Sequence, residues 1–231
     1  MILSKLNLAL REFFRETHFE TFPIVFQPRR GWQPKPSSEC RLGCGIDAVP
    51  ESRRAAPEQI FSWYSEDMQA RLKLPSNIIV GRCDNDFLNF LTAPFEFKND
   101  DWSAVGRPSN NNKLRVILFN SSCEFSPDEE QITFLHEVAH CLGFLKHDRY
   151  FLAMMLVLVF RSGYQNNHTL FQFQVDCALS EDEIADKKIA EKWAEKFAQD
   201  NCEQDKTALE IADELLLIMH KELGVDVLIN G

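Results

Sequence analysis

His136-Glu137-Val138-Ala139-His140 sets two imidazoles four residues apart with a carboxylate between them. On a helix, residues so spaced stand one above the other on the same face, so two ring nitrogens can converge on one metal ion. The intervening glutamate can then reach a water held by that ion. HExxH in a half-buried helix suits a catalytic zinc, and the chemistry it implies is hydrolysis.

A catalytic zinc takes three protein ligands and keeps a fourth position for water or substrate. His147 is the first candidate for the third ligand. In an unbroken helix it would lie about 16 Å along the axis from His136, too far to share a metal. The chain must therefore fold back. Gly143, three residues after His140, can end the helix in a left-handed C-cap and let the next segment return. Asp148 can cap a second helix whose apolar face begins at Phe151. A competing ligand lies in Ser180-Glu181-Asp182-Glu183, where Glu183 or Asp182 could supply a carboxylate, and His168 is a further candidate. Ser180 and Glu183 also read as a capping box, which accounts for those acidic residues without a metal.

The flanking elements fit this geometry. Residues 114 to 120, Leu-Arg-Val-Ile-Leu-Phe-Asn, have the β-branched and aromatic character of a strand. Ser126 can cap the following helix, Pro127 suits its first position, and Asp128, Glu129 and Glu130 face the positive end of its dipole. Ile132, Leu135, Ala139 and Leu142 then recur at helical spacing, which leaves His136 and His140 on an adjoining face.

With His147-Asp148-Arg149-Tyr150-Phe151 after the HExxH, the chain resembles the SprT-like and WLM group of zincin peptidases, where a third histidine stands in a His-Asp-x-x-Phe pattern. The strand from Val116 to Asn120 and Leu135 directly before the first histidine are also similar to that group. The resemblance covers residues 114 to 162. It implies a zincin-like α+β fold, with a small mixed sheet packed on the HExxH helix and a helical C-terminal part. It further implies that His136, His140 and His147 hold Zn2+ and that Glu137 is the catalytic base of a peptidase acting on protein or peptide substrates. His136 to Gly143 is also similar to the HExxHxxG opening of the metzincins, although their third histidine comes one residue earlier and Met154 and Met155 stand too close to form a Met-turn. The Glu183 segment, beside Ala185-Asp186, is similar to the second ligand helix of gluzincins. The paired CxxC motifs of many SprT-like proteins are absent from the sequence. A zincin-fold binding or regulatory module that holds metal without cleaving anything is the alternative function class.

A net charge of −10 and a pI near 5.1 argue against broad nucleic-acid binding, since Arg29-Arg30 and Arg53-Arg54 are only small basic spots. Seven cysteines, at 40, 44, 83, 123, 141, 177 and 202, form no even framework, and Cys40 and Cys44 are expected as free thiols. The first residues lack a secretory apolar core, and the apolar run from Phe151 to Phe160 is too short for a membrane span, so a cytoplasmic location is expected. Tyr150 and Tyr164 are the tyrosines nearest the motif, with packing the simpler role for each.

At 231 residues and 45% hydrophobic content the chain can bury a core as one domain. Residues 1–75 would supply N-terminal helices and a loop, 76–162 the catalytic core, and 163–231 the C-terminal helices. Helices are expected at 2–19, 57–72, 147–161, 180–200 and 205–223, and a buried strand at 76–82. Residues 31 to 50 read as loop, 86 to 97 as an edge strand or hairpin, and 106 to 113 as a turn.

Overall fold

The computed structural model describes residues 54–83, 88, 104–108, 114–144, 147–163 and 187–223. Along these the order is α1 (Pro57–Ile60), α2 (Glu66–Leu72), β1 (Ile78–Cys83), β2 (Ala104–Pro108), β3 (Arg115–Asn120), α3 (Pro127–Cys141), α4 (Arg149–Ser162), α5 (Lys187–Cys202) and α6 (Ala208–Leu223). The fold is mixed α+β. The expected elements at 2–19, 31–50 and 86–97 lie outside the described residues, apart from the single position Leu88.

β3 is buried along its whole length, as its run of Val, Ile, Leu and Phe requires of a central strand. The sheet order is β1-β3-β2. β1 runs parallel to β3, with Ile78 opposite Arg115, and β2 runs antiparallel, with Ala104 opposite Phe119. An antiparallel bridge from Ala55 to Val80 covers the outer side of β1.

Two elements differ from the sequence expectation. The segment 57–72 is two short helices, because Phe61 leaves α1 in extended conformation and Ser65 starts α2 by accepting from the Met68 amide. The break lets Phe61, Trp63 and Tyr64 all pack their rings against Phe134 of α3, at centroid separations of 5.4, 5.5 and 5.6 Å. Those contacts offset the lost helical hydrogen bonds. The first residues of the expected turn at 106–113 belong to β2 instead. Gly106 stands there because the strand passes directly over α3, where a Cβ on Gly106 would lie 2.3 Å from the Glu137 carbonyl oxygen.

α4 is the central helix, with every residue from Tyr150 to Val159 buried. A helix apolar on all sides must be surrounded. α3, α5, α6 and α2 pack around it, and Ala194 and Ala198 give α5 a flat strip for close approach. Arg161, itself buried, ties the last turn of α4 to the α5–α6 connection by donating to the carbonyls of Cys202, Gln204 and Lys206 at 3.0, 3.0 and 2.8 Å. No helix among the described residues is long and apolar enough to cross a membrane.

Candidate metal centre

α3 begins where the sequence places it. Ser126 accepts from the Glu129 amide while the Glu129 carboxylate accepts from the Ser126 amide, a full capping box with Pro127 in the first turn. Those bonds hold the Glu129 carboxyl below its ordinary range. The stripe of Ile132, Leu135, Ala139 and Leu142 is buried, which fixes the rotation of α3 about its axis. His136 and His140 are thereby carried to the side of the helix that meets the start of α4.

The helix ends in a Schellman turn. The Gly143 amide donates to the His140 carbonyl at 3.0 Å and the Phe144 amide to the Ala139 carbonyl at 3.3 Å, with Gly143 at φ +114°. This turn does more than reverse the chain. The Phe144 carbonyl that it brings back lies 2.7 Å from Nδ1 of His140. A carbonyl can only accept, so Nδ1 carries the proton, and in the neutral ring Nε2 keeps its lone pair.

α4 then starts beside α3. Asp148 caps it by accepting from the Tyr150 and Phe151 amides at 2.9 and 3.0 Å. His147, just outside the helix, presents its Nε2 at 3.1 Å from that of His136 and 3.2 Å from that of His140, and the His136–His140 pair is also 3.2 Å apart. Phe151 lies beneath the group, its ring 4.8, 4.6 and 4.8 Å from those of His136, His140 and His147. The three histidines grade from buried His140 through half-buried His136 to exposed His147.

Three Nε2 atoms at this spacing could hold one metal ion between them. With Nδ1 engaged by the Phe144 carbonyl, the His140 Nε2 lone pair faces the other two rings. An ion about 2.0 to 2.1 Å from each nitrogen would subtend N–metal–N angles of roughly 100°, near the tetrahedral value. The donor set therefore fits a divalent metal of the nitrogen-loving class, and His147 is the exposed member of the group.

Glu137 follows His136 by about 100° around the helix, and it is buried at 7% exposure. Its backbone is in contact with Gly106, which sets it between the histidine face and β2. Glu183, Asp182, His168, Tyr164, Cys40 and Cys44 lie outside the described residues. Tyr150 is buried, with its hydroxyl 2.6 Å from a Glu222 carboxylate oxygen. Cys141 packs in the core with its thiol 3.7 Å from the Val116 carbonyl.

The sequence pointed to the helix turn at Gly143 but not to the Phe144 carbonyl, whose contact with His140 depends on the turn's three-dimensional path. Residues 106 to 113 read as a turn, so no local pattern marked the close approach of Gly106 to α3. No protein-family model matches this chain, and no curated protein and no solved structure matches it either.

Proposed function

We propose that this protein is a zinc-dependent peptidase of zincin type, in which His136, His140 and His147 hold the ion and Glu137 is the general base. The observation that carries the reading is the triangle of Nε2 atoms, each 3.1 to 3.2 Å from the other two. When bound, zinc would supply a Lewis acid that polarises a carbonyl and lowers the pKa of a water to about 7.

The residues of the chain account for the rest. Three neutral imidazoles leave the charge of the ion uncompensated, which keeps its acidity high. The Phe144 carbonyl holds His140 in the ligating tautomer. Phe151 walls the triangle from the protein interior, so substrate and water approach from the His147 side. Glu137 accepts the proton of the attacking water and returns it to the leaving amine. Its burial lowers the local dielectric and strengthens its response to the neighbouring charge.

The test is metal content together with cleavage of an unstructured protein, compared between the wild-type chain and Glu137→Gln. The variant should keep one zinc per chain and lose turnover by about 10² to 10⁴-fold, the usual worth of a general base. Undiminished turnover in the variant would remove Glu137 from the mechanism. Absence of any cleavage by zinc-loaded wild-type protein across unstructured substrates would favour the binding-module alternative.

A further inference from the structure

The third histidine stands outside any helix, and its placement depends on how firmly the first turn of α4 is held. That turn is fastened from a distant part of the chain. Glu222, in the last turn of α6, accepts from the Tyr150 hydroxyl at 2.6 Å and forms an ion pair with Arg149. Arg149 in turn donates to the same hydroxyl at 2.8 Å, closing a three-membered ring of hydrogen bonds. Its guanidinium also lies over the rings of Tyr150 and Trp193, at 4.9 and 5.2 Å, and Tyr150 meets Trp193 edge-on at 5.5 Å. α5 and α6 thus grip the two residues of α4 that sit between the Asp148 cap and the Phe151 ring under the histidines.

We infer that Glu222 is a positioning residue for His147, acting through Tyr150 and Arg149, so that the C-terminal helix sets the metal affinity of the centre. The inference rests on the metal-centre reading given above. Its physical basis is rigidity. Phe151 touches all three imidazoles, and Tyr150 immediately before it is fixed at both its ring and its hydroxyl. Removing the carboxylate frees the Tyr150 hydroxyl and Arg149 together, lets the first turn of α4 rock, and widens the triangle at its exposed corner. The other two histidines ride on α3 and keep their spacing.

The experiment measures zinc affinity by chelator competition in the full chain, alongside the thermal midpoint of the metal-free protein and the visible spectrum of the cobalt form. Glu222→Ala should weaken zinc about two- to fivefold, the worth of a half-exposed ion pair, and should shift the cobalt bands. Glu214→Gln serves as the control, because it breaks an ion pair between α6 and Lys206, at 2.8 Å, which lies by the last turn of α4 and not by its first. It should lower the midpoint alone. Tyr150→Phe keeps the ring contacts and the Arg149–Glu222 ion pair and loses only the hydroxyl, so it should weaken zinc no more than Glu222→Ala, and the double variant should be no weaker than the worse single one. Unchanged affinity in Tyr150→Phe or in a folded Glu222→Ala overturns the inference, as does equal weakening by Glu214→Gln. If the wild-type chain itself holds no zinc, the metal-centre reading fails and this one falls with it, a result distinct from the others.

Discussion

Replacing Gly143 by alanine is expected to weaken zinc binding by up to roughly 150-fold, because this position couples the end of α3 to the return of the chain towards His147. At φ +114° an L-residue is strained, and such strain costs on the order of 1 to 3 kcal/mol. The substitution is sterically clean otherwise, since a Cβ there would meet only Leu216 Cδ1 at 3.6 Å, an ordinary contact. Without metal the turn can unwind and shed the strain, giving up the hydrogen bonds from the Gly143 and Phe144 amides and the His140 contact with the Phe144 carbonyl. With metal it must reform, so the affinity falls by the strain in excess of those lost contacts, at about 1.4 kcal/mol per tenfold. The assay is zinc affinity by chelator competition, with Gly163→Ala as comparator. Gly163 also has positive φ, +75°, and caps the far end of α4, where its Cβ would meet the flexible end of Arg71 at 3.0 Å. Gly163→Ala should lower thermal stability and leave zinc affinity in place. Wild-type affinity in Gly143→Ala, or an equal loss in both variants, would refute the role given to this turn.

Further expectations concern the surrounding scaffold. Gly106→Ala puts a Cβ 2.3 Å from the Glu137 carbonyl oxygen and 2.8 Å from its Cβ, so β2 must lift off α3. A cost of about 1 to 3 kcal/mol by denaturant unfolding is expected, with loss of turnover exceeding loss of metal. Phe151→Ala removes the ring beneath the three imidazoles and should cost about 3 to 5 kcal/mol in stability and weaken zinc as well. Burial, and secondarily the nearby Glu58, pushes the Tyr64 hydroxyl from about 10.0 up to about 12. Because the raised value belongs to the folded state, this contribution is complete below pH 10 and is lost as pH climbs through 12. Alkaline unfolding curves should therefore show a decline over that window that Tyr64→Phe abolishes.

The centre was legible in the sequence because its determinants are local. Two histidines one helical turn apart, a glycine where the helix must stop and an aspartate where the next must start are all signals within thirteen residues, 136 to 148. The capped start of α3 and the central strand β3 were readable for the same reason. β2 was not. Ala104-Val-Gly-Arg-Pro has a glycine and a proline in five positions, and only pairing with β3 and contact with α3 make it a strand. The break between α1 and α2 likewise follows from rings packing on Phe134, a contact some seventy residues away along the chain. The link from Glu222 to Tyr150 spans 72 positions and leaves no trace in any local pattern.

The most direct check on the whole account is X-ray absorption at the zinc edge on the full chain carrying one equivalent of zinc, repeated with His147→Ala. The wild-type spectrum should show three imidazole nitrogens and one light oxygen scatterer at about 2.0 to 2.1 Å, and the variant should lose one imidazole. A sulfur shell near 2.3 Å, a spectrum that His147→Ala leaves unaltered, or a protein that retains no zinc would contradict it.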